Sequence, residues 1–170
     1  GAVWEKGFKF TILYNSGNLT RKAAAEIIEK GVESLNPKFQ IEVRDVPWPS
    51  LLQDITARRL PLYIVGWLED FHDPHNWVHP FLFSKGAYAG FMSLPELQKR
   101  LDDLIVQARK ELDTQKREKL YHEITRIAYE EAIELYLDQA LGRRYERTWL
   151  HGWYYNPAYP GTYFYPLWKG

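Results

Sequence analysis

The chain has 170 residues, with 22 basic and 22 acidic side chains, 45% hydrophobic content and no cysteine. Zero cysteines exclude disulfide frameworks, cysteine-ligated zinc, iron–sulfur clusters and thiol catalysis, and a chain this long can bury roughly 70% of its unfolded surface without a covalent staple. A net charge of zero removes the cationic footprint on which non-specific nucleic-acid binding depends, so DNA and RNA are not expected partners.

No stretch approaches the roughly 18 apolar residues of a membrane span, and the N-terminus lacks the basic, apolar and small-residue pattern of a signal peptide. A start at Gly1 without an initiator methionine is expected of a chain processed or cut from a longer one. Phe8 to Tyr14 alternates apolar with polar or smaller residues and runs into Asn15-Ser16-Gly17-Asn18, a cluster of turn formers, which predicts a strand and a loop. Ala24, Ile28, Val32 and Leu35, widened by Ile27, lie on one helical stripe that Pro37 closes. Phe39, Ile41 and Val43 then alternate with Gln40, Glu42 and Arg44, the pattern of a half-buried strand. Strand, helix and strand in that order predict a right-handed crossover joining two parallel strands.

Pro47-Trp48-Pro49-Ser50 can start a short helix with Leu51, Leu52 and Ile55 on one face, because proline is tolerated in a first turn. Leu62 to Trp67 is nearly continuously apolar, as in a strand covered on both faces. Residues 69 to 93 read as an irregular connection holding Asp73-Pro74, Pro80, Gly86 and Gly90; at about 25 residues it is long enough to suggest function, and its aromatics argue against disorder. Ser93 and Glu96 form a capping box ahead of Leu97, Leu101, Leu104, Ile105 and Ala108, and Asp113 caps a further helix with the stripe Leu120, Ile124, Ile127 and Ala128. Ile133, Leu135 and Leu137 alternate as a strand, and the tail from Gly142 reads as short strands and turns. No internal boundary is visible, so residues 1–170 are expected to form a single domain.

The chemistry-bearing motifs are sparse. Neither a phosphate-binding G-x-x-x-x-G-K-[ST] nor a G-x-G-x-x-G or G-x-S-x-G occurs. His72, His75 and His79 are the best metal candidates, since imidazoles at i, i+3 and i+7 would share a helical face; Pro74 weakens that condition, and loop or surface histidines are the plainer reading. The 7 Trp, 12 Tyr and 8 Phe either pack long connections or line a cleft, with Trp48, Trp67 and Trp77 as cleft candidates. Asp70 follows the apolar strand by three residues, at the carboxyl end where open α/β sheets bind ligands; its plainer reading is a cap or a loop acceptor.

The ordered series Leu13-Tyr14-Asn15-Ser16-Gly17-Asn18, the Trp48 segment, Gly66-Trp67-Leu68-Glu69-Asp70-Phe71-His72-Asp73-Pro74, Leu104-Ile105 with Ala108, Leu120-Tyr121, and Asn156-Pro157 with Tyr163-Phe164 resembles the extracellular solute-binding proteins, family 5, which serve dipeptide, oligopeptide and nickel ABC transporters. The resemblance implies an α/β fold, a type II periplasmic-binding-protein-like lobe with a mixed sheet flanked by helices. The chain would be most of the C-terminal lobe of a two-lobed protein. Its partners would be a missing N-terminal lobe, ABC permease subunits and a small-molecule ligand, in an extracellular or periplasmic location reached free or anchored through the parent chain.

By the same resemblance Asp70 pairs with the α-ammonium group of a peptide, and Trp67 lines the pocket. Trp48, Tyr14 and Asn15 are further candidate contacts; no catalytic residue, metal or cofactor is expected. Two departures matter. Ile64 occupies a site near the motif where some oligopeptide binders carry an arginine, which argues against a second charged contact to a peptide, and Ala132-Ile133 replaces the family's common proline-containing entry to the late strand. Some relatives bind short oligosaccharides, which keeps a sugar ligand open, and a metal-dependent or glycoside hydrolase is the alternative of a different class.

Overall fold

In the computed structural model, residues 1–89, 94–156, 159 and 161–170 are described. The predicted Ser93 half of the capping box, together with Gly90, Pro157 and Pro160, lies outside them. The chain forms two compact units, one of residues 1–66 and 80–99, the other of residues 67–79 and 100–170. It passes between them after Gly66, His79 and Lys99, and so often a crossing leaves no linker for the sequence to advertise.

The first unit is built on β1 (Phe8–Asn15), α2 (Leu19–Glu33), β2 (Phe39–Val46), α3 (Trp48–Thr56) and β3 (Leu62–Tyr63), preceded by a short α1 (Ala2–Lys6). β1 is central in a three-stranded parallel sheet of order β2-β1-β3, running in register with β2 from Phe8↔Phe39 to Asn15↔Val46. Alternation decides which side chains go inside: Ile12 and Tyr14 of β1 and Phe39 and Ile41 of β2 are buried, while Gln40 and Glu42 are exposed. With Ala25 of α2 and Ile64 they form the core, flanked by Phe8, Phe10, Ala24, Ile28, Val32, Val43 and Leu62. Ile12 is completely buried, a burial worth about 1.5–3 kcal/mol.

α2 begins where Asn18 accepts from the Arg21 N–H at 3.0 Å, satisfying one of the free donors of a first turn. α1 is held by Asn36, whose amide donates to the Trp4 carbonyl at 2.8 Å, and by the edge of Trp4 against Phe39. Gly7 joins α1 to β1 at φ +76°, where a Cβ would stand 2.3 Å from the Lys38 carbonyl oxygen, so only glycine fits.

Three sequence expectations need correction. The strand expected over Leu62 to Trp67 is paired only at Leu62–Tyr63, with one more bond from the Ile64 N–H to the Leu13 carbonyl. The connection expected to be irregular contains α4 (His75–Leu82); Pro74 sits just before the helix, where its missing N–H costs nothing, and Val78 and Leu82 supply a buried i, i+4 pair. Ile133 to Leu137 makes no strand, for the sequence alternates but no partner edge among the described residues meets it, and Leu135, Tyr136 and Leu137 are exposed.

In the second unit α5 (Pro95–Lys110, entering from Arg100) buries Leu101, Ile105 and Ala108, and α6 (Thr114–Glu130) buries Tyr121, Ile124, Ile127 and Ala128. Asp113 caps α6 as expected, accepting from the Lys116 N–H at 2.9 Å. β4 (Leu150–His151) and β5 (Trp168–Lys169) pair antiparallel as a short ribbon in the tail.

Candidate functional site

In the second unit the side chains converge on Asn76, in the first turn of α4 and only 6% exposed. Its Oδ1 accepts from the Trp67 indole N–H at 3.1 Å and from the Asp70 backbone N–H at 2.8 Å, while its Nδ2 donates to Asp70 Oδ2 at 3.3 Å. One buried amide therefore sets both the ring of Trp67 and the aim of the Asp70 carboxylate. Asp70 itself is exposed, and its Oδ1 has no hydrogen bond among the described residues.

Two further carboxylates brace this turn. Glu69 accepts from the Trp77 indole N–H at 3.0 Å and pairs with His72 Nδ1 at 2.8 Å, and these two bonds hold its pKa below the ordinary carboxylate value. Asp73 accepts from the His75 N–H at 2.8 Å, opening α4, and from Arg117 Nη2 of α6 at 2.7 and 2.9 Å. Burial alone would raise the Asp73 pKa; the bonds from Arg117 and the His75 N–H outweigh it and leave the pKa lowered. The Arg117 guanidinium also lies over the Tyr121 ring at 4.8 Å.

The three histidines do not assemble as a metal site. His72 turns to Glu69, and His75 and His79 meet ring to ring at 4.9 Å. Among the described residues no group of three or more His, Cys, Asp or Glu could hold a metal ion. His75 Nδ1 is buried without a partner, and its pKa is lowered by burial first and then by His79, Arg109 and Arg117 against the opposing pull of Asp73.

The remaining candidates lie in the first unit. Asn15 ends β1, and its Oδ1 accepts from Arg21 Nη1 at 2.6 Å. Trp48, the first residue of α3, is 38% exposed, with the Arg21 guanidinium 5.8 Å from its ring centre. Tyr14 is 7% exposed and packs in the core with Ile12 and Ile64, a position that supports the strand end. Sequence reading passed over Asn76, Glu69, Arg117 and Arg21. The first two lie in the same polar run as Asp70, a signal that was legible; nothing local points from Asp73 to Arg117.

Among curated proteins the chain is similar to the di/tripeptide-binding protein 4 of Pseudomonas aeruginosa (strain UCBPP-PA14), 28% identical over 119 residues, 70% of this chain and 22% of that protein. It is similar also to the probable di/tripeptide-binding protein 5 of the same strain, 23% identical over 133 residues, 78% of this chain and 24% of the relative. The chain thus spans about a quarter of the length of the curated relatives it matches. Among solved structures it is similar to the unliganded open form of MppA, a periplasmic murein tripeptide binding protein, with TM-score 0.63 and 19% identity over 76% of this chain and 24% of that one. The periplasmic binding protein DppA of Helicobacter pylori, in complex with the peptide STSA, gives TM-score 0.60 and 20% identity over 78% of this chain and 25% of that one. No family model matches the chain. The resemblance to the family 5 solute-binding proteins therefore holds in sequence and in fold, and the fold class is α/β, of the periplasmic-binding-protein type. No helix among the described residues is long and apolar enough to cross a membrane.

Proposed function

We propose that the chain is part of the substrate-binding component of an ABC transporter, taking up peptides with a second lobe of the same protein and delivering them to a membrane permease. The reading places it outside the membrane, extracellular or periplasmic, and gives it no catalytic step. The observation that carries it is the Asp70 carboxylate, presented to solvent, fixed at one oxygen by a buried amide and open at the other. A carboxylate so oriented suits the α-ammonium group of a peptide, a charge-assisted pair worth about 1.5–3 kcal/mol. Trp67, held by the same amide, would offer its ring beside that group. Trp48 and Asn15 are further proposed ligand contacts, with Tyr14 buried in the core next to Asn15 on β1. The names of the relatives support a peptide as the ligand.

The test is calorimetry of the full-length protein with a mixed pool of di- and tripeptides. Asp70→Asn should weaken binding about 10- to 100-fold, and N-acetylated peptides should bind the unaltered protein no better than free peptides bind the variant. Equal affinity of the variant and the parent would overturn the peptide reading. Binding of short oligosaccharides but not peptides would turn it toward stacking on an exposed tryptophan such as Trp48 or Trp77.

A further inference from the structure

β2 lies at one edge of its sheet, with β1 on one side and no strand among the described residues on the other. Backbone bonds fix which of its groups look outward. The carbonyls of Lys38, just before β2, and of Val46, at its end, accept from the Phe8 and Ser16 N–H groups, so the even-numbered residues turn toward β1. The odd-numbered ones turn away, because peptide groups alternate in direction along a strand. Of these, the Phe39 N–H is taken by the Asn36 carbonyl at 2.9 Å and the Ile41 N–H by Glu33 Oε1 at 2.9 Å. The Val43 and Asp45 N–H groups have no partner among the described residues.

An edge with open donors and acceptors is a template for another strand, and the side chains indicate which one. Glu42 and Arg44 share the solvent face, 3.9 Å apart and each more than half exposed. Against an antiparallel copy of itself, β2 can bond its outward groups only where odd-numbered residues meet odd-numbered ones. In the register centred on Val43, that residue meets its own copy, Ile41 meets Asp45, and Glu42 faces Arg44 twice. The charges then fall at positions that exchange no hydrogen bonds, where opposed side chains approach most closely. The neighbouring registers, centred on Glu42 or on Arg44, set that residue against its own copy, and like charges directly opposite are destabilising. Beside the edge a cavity of about 620 Å³, lined by Glu29 and Glu33 of α2 and Ile41 of β2, has room for the Glu33 side chain once a carbonyl of the second strand takes the Ile41 N–H.

We infer that β2 is a self-association edge: two copies of the protein join β2 to β2 antiparallel about Val43, fusing their sheets into one, with the two Glu42–Arg44 pairs holding the register. The charge complementarity of the strand with itself commits the edge to a second copy, and the inference does not depend on what the ligand is.

The experiment is sedimentation velocity of the full-length protein over a dilution series reaching about 1 mM. The unaltered protein should show a reversible monomer–dimer equilibrium. Glu42→Arg and Arg44→Glu each place like charges opposite one another and should weaken the dimer at least about 10-fold; both positions are exposed, so the monomer should keep its fold. The double variant Glu42→Arg/Arg44→Glu exchanges the signs and should restore the dimer. Mixed with each other, the two single variants should form a heterodimer tighter than either forms with itself. An unaltered protein that stays monomeric throughout overturns the inference. A dimer that both single variants form as tightly as the unaltered protein also overturns it, by placing the contact on another face, and so does a double variant no tighter than the singles.

Discussion

Asn76 uses both ends of its amide on the turn that carries Asp70. Asn76→Ala strands the Trp67 indole N–H and the Asp70 backbone N–H, and should cost about 1–3 kcal/mol in denaturant unfolding. Asn76→Asp keeps an acceptor for both donors but turns a second carboxylate toward Asp70 Oδ2. Its destabilisation should be larger at pH 7 than near pH 4, where one proton can be shared between the two acids; a pH-independent loss would mean that the Nδ2 bond at 3.3 Å contributes little. Ile64 marks the opposite case at this scale. It is 7% exposed in the core, so the position noted for its lack of arginine is an apolar packing position here.

At the scale of elements, α4 is tied down by charges from distant parts of the second unit. Asp73 receives the first N–H of α4 and the Arg117 guanidinium 44 residues away. Its pKa is lowered in the fold, so the stability it confers is complete above the unfolded carboxylate value of about 3.9 and is lost as pH falls through the lower folded value. Asp73→Asn should therefore flatten the acid limb of the stability curve, and melts between pH 2 and 5 would read this directly. α6 ends on Ala132 at φ +50°, with the Ile133 N–H bonded to the Ala128 carbonyl and the Ala132 N–H to the Tyr129 carbonyl. A left-handed C-terminal position favours glycine. Ala132→Gly should raise stability by about 0.5–1 kcal/mol in chemical denaturation, and a loss would argue against that backbone conformation. The same turn accounts for the missing strand at Ile133–Leu137: the residues after a helix cap keep their alternation and have no edge to pair with.

For the whole molecule, acid should weaken the fold before the carboxylates titrate. His75 has a buried, unpartnered Nδ1 and faces His79, Arg109, Arg117 and Asp73; its pKa is lowered, burial being the largest cause. A histidine held neutral by the fold confers stability that is complete above the unfolded value of about 6.5 and is lost as pH falls below it toward the folded value. The melting temperature should drop between pH 7.5 and 5, and His75→Phe should remove most of that drop; an equal drop in the variant would place its origin elsewhere. The aromatic wealth divides as the two sequence readings allowed. Phe8, Phe10 and Phe39 stack in the first unit, whereas Tyr155, Phe164 and Tyr165 of the tail are at least 74% exposed. What the amino-acid order determined alone was whatever depends on near neighbours: the period-two strands β1 and β2, the Ala24, Ile28 and Val32 stripe of α2, from which Ile27 and Leu35 depart as exposed residues, the cap at Asp113, and the parallel crossover that follows from their order. The tertiary structure alone decided that Asn76 orients Asp70, that Asp73 meets Arg117, that Arg21 stands beside Trp48 and Gly66, and that the late alternating segment finds no strand partner among the described residues. Those outcomes depend on which distant surfaces come within hydrogen-bonding reach, and local periodicity carries no information about reach.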